Sequence, residues 1–265
     1  MSPSWLNLQA YAFDKPIAYK NLLIYPALME HYFEFYALVQ CFLLEKNLTI
    51  EGISKTYLEY LYILKKNGDE EFNLEKFDAL LKMCLRLENI VIIYAYEENR
   101  PVFIIYKNDS DANAGKNGDK YTSDDFNELR LLICEQNGVE LPDETMSPEV
   151  RKSMEEARQF IAKRSGTIPP TLEDMVTCIM ASTALKPDDI AKLSIRKFGQ
   201  LLYRVDTKLH YQIFVTASMS GFVEFKDKSI LKHWMAGVEK DRWGDTMIDV
   251  ENMKGKLAFD DKKKK

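Results

Sequence analysis

Apolar residues recur at helical spacing along most of the chain, and this spacing predicts a mainly helical protein. The clearest stripe consists of Leu74, Phe77, Leu80, Leu81, Cys84 and Leu85. Similar spacing predicts helices over Ala27–Lys46, Ser54–Lys66 and Ser123–Asn137. The helix at Ala27–Lys46 is apolar on nearly all sides, which is typical of a helix buried within protein.

The spacing changes to that of β-strands in the first half of the chain. Ile90–Tyr96 and Val102–Tyr106 are β-branched and aromatic runs separated by a polar turn, so they predict an antiparallel hairpin. Ile17–Tyr25, flanked by prolines, predicts another strand, and Tyr121 predicts a short third strand. Residues 108–120, rich in Asn, Asp, Gly and Lys, predict a mobile loop.

Helix-start signals dominate the second half. Pro148 follows Ser147 at the first position of a predicted helix, and Pro187 begins a short helix. Ser194 is a predicted N-cap for a long helix that ends near Ser220. A last helix is predicted over Ser229–Met235.

These elements predict an α+β fold that is predominantly α-helical. A small antiparallel β-hairpin or sheet belongs to the N-terminal half and a helical bundle to the C-terminal half. Residues 1–141 form a predicted helix-rich domain with the hairpin at about 90–107, and residues 147–235 form a helical domain. Apolar density falls after residue 235, so residues 236–265 are predicted to be a disordered tail.

Composition is ordinary for a globular protein, with 46% hydrophobic and 29% charged residues. The net charge of −5 is unevenly distributed. Residues 1–150 carry 14 basic and 25 acidic side chains, or −11, whereas residues 151–265 carry 22 and 16, or +6. Such asymmetry fits two regions that attract each other, an anionic partner for one half, or simply solvated helix faces.

The cysteines and the apolar stretches bear on location. Cys41, Cys84, Cys134 and Cys178 form no CxxC pair and lie in helical patterns, which predicts buried free thiols in a reducing compartment. No basic start leads into an apolar run, so no signal peptide is predicted. The most apolar stretch, Ala27–Leu44, contains acidic residues and does not predict a membrane span. We therefore expect a cytoplasmic protein.

Motifs for catalysis, cofactors and metals are missing from the sequence. It contains neither a glycine-rich phosphate loop nor a GxGxxG motif. The three histidines, His31, His210 and His233, are scattered and offer no zinc-binding pattern. We expect a protein that is not an enzyme and that binds no cofactor and no metal.

One candidate partner-binding surface lies in the aromatic N-terminal half. Tyr32, Phe33, Phe35 and Tyr36 lie within five consecutive helical positions, so their rings point in several directions. If some rings stay exposed, they favour a protein partner, because large rings bury much area at little entropic cost. The alternative is a central helix enclosed by its own domain.

A second candidate surface is cationic. The predicted helices around Ala184–Val205 could form a helix-turn-helix, with Lys192, Arg196, Lys197, Arg204 and Lys208 directed to DNA phosphates. One face of the same helix is apolar and carries Phe198, Leu201 and Leu202, as in a helix packed against its own domain. The overall pI of about 5.5 also does not favour binding to nucleic acid.

The run Leu185–Leu202, LKPDDIAKLSIRKFGQLL, resembles tail assembly chaperones of tailed bacteriophages. These often show a short helix after a Pro-x-acidic-Ile turn, then a Ser or Thr that caps a second helix. Ile17–Asn47 and Tyr121–Gly138 also resemble phage tail-module proteins of Gram-positive hosts. The chain is longer than many such chaperones and has an added hairpin, so a structural component of the tail or virion remains an alternative.

The resemblance implies a protein without enzymatic activity in the host cytoplasm. Such chaperones bind an apolar, helical tail protein, the tape measure, and keep it soluble while tail tube subunits assemble around it. The implied requirement is an adaptable apolar surface with a charged rim. The expected partner is therefore the tape-measure or tail tube protein, with no role for a membrane.

Overall fold

The structure is a computed structural model of the 265-residue chain. It describes residues 5–46, 50–66, 74–87, 89–97, 100–115, 118–144, 147–165, 169–221, 225 and 232–236. Two compact units are present, one of Met1–Thr145 with Leu172–His210 and the other of Met146–Thr171 with Tyr211–Lys265. The domain division expected from the sequence stays a prediction, and the predicted tail lies outside the described residues apart from Ala236.

The described elements are mostly helices, with short strands confined to residues 17–24 and 91–121. The helices are α1 (Trp5–Ala12), α2 (Tyr32–Val39), α3 (Ile50–Ile53), α4 (Tyr57–Lys66), α5 (Leu74–Leu85), α6 (Asp109–Ala114), α7 (Ser123–Asn137), α8 (Pro148–Ser165), α9 (Leu172–Ser182), α10 (Pro187–Ala191) and α11 (Ile195–Met219). The strands are β1 (Ile17–Tyr19), β2 (Leu22–Ile24), β3 (Val91–Glu97), β4 (Arg100–Tyr106) and β5 (Asp119–Tyr121). The predicted α+β, predominantly helical class is confirmed.

The single strand predicted over Ile17–Tyr25 is instead a hairpin. β1 and β2 pair antiparallel, with Ile17 opposite Ile24 and Tyr19 opposite Leu22. Lys20 reverses the chain with φ +49°, a left-handed conformation that residues with a Cβ seldom adopt. The prediction was wrong because neither Gly nor a typical turn pair marks the reversal.

The long helix predicted over Ala27–Lys46 is shorter and is broken at both ends. A 3₁₀ helix occupies Met29–His31, α2 follows, and a second 3₁₀ helix covers Gln40–Phe42. The helix begins late because Leu28 is extended, with ψ 157°, and because the Ala27 carbonyl accepts a hydrogen bond from the Ile195 amide at 3.0 Å. The Ala27 amide donates to Asn137 Oδ1 at 2.7 Å, and the Met29 amide donates to the Leu193 carbonyl at 2.9 Å.

Aromatic rings from several elements form the core of the first unit. The Phe77 ring of α5 lies 4.7 Å from Phe126 of α7 and 6.0 Å from Phe103 of β4, measured between centroids. All three side chains are at most 1% exposed. The predicted α5 stripe is confirmed at Phe77, Leu80, Leu81, Cys84 and Leu85, all of which are buried. The Leu74 side chain lies outside the described part.

The predicted hairpin is present as β3 and β4, and β5 joins the free side of β4 as a third antiparallel strand. The loop predicted over 108–120 was partly wrong, because it contains α6. Asn108 starts this helix by accepting a hydrogen bond from the Asp111 amide at 2.8 Å, and Gly115 ends it with φ +60°. Local capping therefore orders a polar segment.

α7 has caps at both ends. Thr122, one residue before the predicted cap Ser123, forms a capping box with Asp125. Gly138 ends the helix with φ +72°. Buried polar side chains near this end bond the backbone of other elements: Gln136 Nε2 donates to the carbonyls of Lys15 and Ile24 at 3.1 and 3.0 Å.

The segment from α9 to α11 attaches to the N-terminal elements through backbone pairing. The Ile195 amide donates to the Ala27 carbonyl at 3.0 Å, next to an isolated bridge between Leu28 and Ser194. Ser194 accepts a bond from the Lys197 amide at 3.0 Å, as expected for the cap of α11. Residues 172–210 consequently belong to the first unit.

The described part of the second unit contains α8 and residues 211–219 of α11. Ser147 Oγ accepts from the Val150 amide at 3.3 Å, which agrees with the predicted start of α8. The helix predicted over Ser229–Met235 is wrong at 232–235, which are not helical and include a turn at 234–235, and 229–231 lie outside the described residues.

Candidate partner-binding surface

The four aromatic residues of α2 that are predicted to bind a partner differ in their exposure. Phe35 is 0% exposed and packs in the core, so it is not available to a partner. Phe33 is 71% exposed and Tyr36 is 38% exposed, while Tyr32 is half-buried between them. We call Tyr32, Phe33 and Tyr36 the aromatic face of α2.

The rings of the aromatic face contact one another. The centroids of Tyr32 and Phe33 lie 5.4 Å apart in an edge-to-face arrangement, and those of Tyr32 and Tyr36 lie 4.7 Å apart. Burial, with a smaller contribution from Tyr32, raises the pKa of the Tyr36 hydroxyl. The three rings therefore form one aromatic cluster centred on Tyr32.

Acidic groups border the aromatic face. Glu30 and Glu34 have side chains that are 51% and 60% exposed. His31 lies between them, with Nδ1 3.3 Å from Glu34 Oε2 and Nε2 3.8 Å from Glu30 Oε1. An exposed apolar patch with a polar rim is typical of protein-binding surfaces.

The five cations proposed for DNA are partly used inside the protein. Arg196 Nη1 donates to the Glu135 carbonyl at 2.6 Å, and its guanidinium lies 4.4 Å from the centroid of the Tyr11 ring. Lys197 Nζ donates to the Ala12 carbonyl at 2.8 Å. Both side chains therefore attach α11 to other elements of the first unit.

The other three cations have different surroundings. Lys192 and Lys208 are exposed, whereas Arg204 is half-buried, with its guanidinium 5.8 Å from the Tyr203 ring centroid. Helix-turn-helix recognition requires several side chains that are free to reach phosphates. The described geometry therefore does not assemble the five residues into one open cationic surface.

Three of the four thiols are buried as predicted, but the prediction was wrong for Cys178, which is exposed on α9. Burial raises the pKa of Cys41, Cys84 and Cys134 to about 12 in each case. Thiols held protonated are poor nucleophiles and poor metal ligands. Within the described ranges, no three His, Cys, Asp or Glu residues are grouped so that they could hold a metal ion.

Exposed apolar side chains also lie outside the surfaces predicted from the sequence. Phe13 is 67% exposed outside any predicted surface. On β3, Ile93 and Tyr96 are 40% and 60% exposed. The apolar run of β3 is visible in the sequence. Its place at the edge of the sheet is not, because the order of strands does not follow from the sequence.

Residues 162–239 match the protein family described as the YomV second domain. The match covers less than a third of the 265 residues and includes α9, α10 and α11. It suggests a phage-derived, YomV-like protein, and the run Leu185–Leu202 that resembles phage tail proteins lies within the matched range. No curated protein and no solved structure shows a significant match to the chain.

The family match supports the phage association of the chain, while a role in tail assembly stays a prediction. Among the helices of the described residues, none combines the length and the apolar character needed to cross a membrane.

Proposed function

We propose that the chain is a non-enzymatic phage tail assembly chaperone that binds an apolar, helical tail protein, such as the tape measure, on the aromatic face of α2. The phage-derived character suggested by the family match supports a role in a bacteriophage. The resemblance of Leu185–Leu202 to tail assembly chaperones supports the role. The proposed location of this activity is the host cytoplasm.

The exposure of Phe33 is the observation that carries the proposal. A phenylalanine that is 71% exposed lies against the ring of Tyr32 rather than in the core. Burying such a ring against a partner is favourable by about 2–3 kcal/mol. A helical apolar partner would lay its own apolar stripe along this face, as amphipathic helices do in grooves.

Co-expression of the full chain with the tape-measure protein of the same phage tests the proposal. Wild-type chain is expected to keep the tape-measure protein soluble. Phe33→Ser should lose about 2 kcal/mol of binding, or roughly 30-fold in Kd, and so lower the soluble fraction. Phe13→Ser is the matched control, because Phe13 is 67% exposed and lies outside the aromatic face. Equal solubility with both variants would contradict the proposal.

A structural component of the tail or virion is the competing role, and it predicts a different fate for the protein. A chaperone leaves the assembly, so mass spectrometry of purified particles should find it absent or far below the tail tube subunit. Presence in stoichiometric amount in mature particles would reject the chaperone and favour the virion component.

A further inference from the structure

Arg130 on α7 is a buried cation with one donor that is left unpaired. The residue is 5% exposed. Its Nε donates to the Phe42 carbonyl at 2.8 Å, and Nη1 donates to Glu144 Oε1 at 2.9 Å. Nη2 is also buried, and it has no hydrogen-bond partner within the described part of the chain. An unpaired donor on a buried charged group is unfavourable, so a further acceptor would bind favourably at this nitrogen.

Lys46 brings a second cation to the same carboxylate. Its Nζ lies 3.1 Å from Glu144 Oε2, and the Lys46 side chain is 15% exposed. A hydrogen bond from Nζ to the Lys55 carbonyl at 2.9 Å fixes the position of the ammonium. Arg130 and Lys46 thus share one carboxylate, so these three side chains together carry an excess of positive charge.

The carboxylate of Glu144 satisfies this pair of cations only in part. One of its oxygens accepts from Nη1 of Arg130 and the other lies at Nζ of Lys46, so Nη2 is left without an acceptor. A phosphate group has more acceptor oxygens and a larger negative charge, and a guanidinium can bind it through two parallel N–H···O bonds. A phosphate group is therefore able to accept from Nη1, Nη2 and Nζ together.

Glu144 is more accessible than the two cations that it contacts. Its side chain is 35% exposed, and it lies in a turn between α7 and α8 in the chain. Withdrawal of the carboxylate alone would leave a buried arginine without its counter-charge, which is strongly unfavourable. Glu144 is therefore expected to leave Arg130 and Lys46 in exchange for another anion.

We propose that Arg130 and Lys46 form a binding site for a phosphate group, carried by inorganic phosphate or by a phosphate monoester, and that this ligand displaces Glu144. Displacement would release residues 142–144, which lead toward α8 in the chain. The site contains none of the residues of the aromatic face of α2, so it is independent of the proposed chaperone function.

Calorimetric titration of the full chain with inorganic phosphate, compared with sodium chloride at matched ionic strength, tests the site. Glu144→Ala removes the internal competitor and should bind a single phosphate per chain at least about tenfold more tightly than wild type. Glu97→Ala is the matched control, because Glu97 pairs with Lys120 and both side chains are nearly half exposed. This control should bind phosphate no more tightly than wild type.

A second substitution tests whether the phosphate binds at the two cations. Lys46→Gln, added to Glu144→Ala, should weaken phosphate binding by at least about tenfold. Titration with phenyl phosphate then distinguishes the two sources of the ligand. Comparable affinity for phenyl phosphate supports a monoester ligand, whereas binding of inorganic phosphate alone supports the free ion.

Equal phosphate binding by wild type, Glu144→Ala and Glu97→Ala overturns the inference. Phosphate binding to Glu144→Ala that Lys46→Gln leaves unchanged overturns it as well. If a water molecule is the only acceptor for Nη2, phosphate and chloride will have the same effect, and the site is refuted. If circular dichroism shows that Glu144→Ala does not fold, Glu144→Gln takes its place, because the amide keeps the size of the side chain and an acceptor for Nη1.

Discussion

The guanidinium of Arg130 lies over the ring of Tyr57, with its Cζ 3.5 Å from the ring centroid. Arg130 is 5% exposed, and its Nε donates to the Phe42 carbonyl at 2.8 Å while Nη1 donates to Glu144 Oε1 at 2.9 Å. The Tyr57 hydroxyl in turn donates to the Cys41 carbonyl at 3.1 Å. One buried cation thus connects α7, α4 and the end of the second 3₁₀ helix.

Arg130→Lys should therefore destabilise the fold although it keeps the charge. Lysine has no planar group to lie on Tyr57 and no Nε donor for the Phe42 carbonyl, so we expect a loss of about 2–3 kcal/mol in the free energy of unfolding. Urea denaturation measures this. Arg100→Lys, at an exposed position of β4, should change stability by less than about 0.5 kcal/mol. Equal effects of the two substitutions would mean that the buried contacts contribute nothing.

Asp125 makes stability depend on pH. Burial acts to raise the pKa of Asp125, but hydrogen bonds from Lys20, the Thr122 amide and Tyr19 outweigh it and lower the pKa to about 2. An aspartate in the unfolded chain has a pKa of about 3.9. Because the folded pKa is depressed, the carboxylate stabilises the fold fully above the unfolded value. This contribution, about 2 kcal/mol, is lost as pH falls from about 4 to about 2.

Asp125→Asn should remove that acid dependence. Denaturation measured from neutral pH down to about pH 2 is expected to show a flatter decline for the variant than for wild type. Asp124→Asn, at the exposed neighbouring position, should keep the wild-type slope. Identical slopes for wild type and Asp125→Asn would show that another group controls acid unfolding.

Substitution by alanine should change the stability of the protein in opposite directions at two glycines. A Cβ at Gly118 would lie 2.7 Å from Tyr106 Cε1 and closer still to Ile104 Cγ2, so Gly118→Ala should cost about 1–3 kcal/mol. A Cβ at Gly199, exposed within α11, meets nothing within 4 Å. Gly199→Ala should stabilise by about 0.5–1 kcal/mol, because alanine favours the helix. Thermal unfolding of the two variants measures both changes in stability. A loss of stability in Gly199→Ala would contradict the finding that a Cβ at this position meets no other atom within 4 Å.

The thiols should differ sharply in reactivity. Only Cys178 of the four cysteines is exposed, and burial raises the pKa of each of the others to about 12. A thiol-specific chromogenic reagent at mildly alkaline pH should modify one thiol quickly in the native protein and all four in denaturant. Cys178→Ser should abolish the fast phase. A native fast phase of two or more thiols would show that the core opens readily.

Elements specified by local signals could be predicted closely. The β3–β4 hairpin follows from two β-branched runs around a polar turn, and α10 and α11 follow from Pro187 and the Ser194 cap. These signals act over a few residues, so their effect survives in any tertiary setting. The α5 stripe was predictable for the same reason, because apolar spacing determines which face must be buried.

Elements that depend on distant partners could not be predicted. The helix predicted from Ala27 begins only at Tyr32, because Leu28 is extended and the Ala27 carbonyl accepts a hydrogen bond from the Ile195 amide. This partner lies more than 100 residues away along the chain. Lys20 reverses the chain without a glycine, where its ammonium lies 2.5 Å from Asp125 Oδ1. In both places tertiary contacts overcome local preference.

The candidate partner-binding surface on α2 was also predictable only in part. The aromatic run itself requires that rings leave α2 in several directions, because successive helical positions are about 100° apart. Whether Phe33 or Phe35 is buried depends on where α5 packs against α2. The sequence by itself determined the helical and strand periods, their caps and the crowding of rings on one helix. Only the tertiary structure decided which rings face solvent and left β3 at an edge, because burial and strand order arise from contacts between residues far apart in the chain.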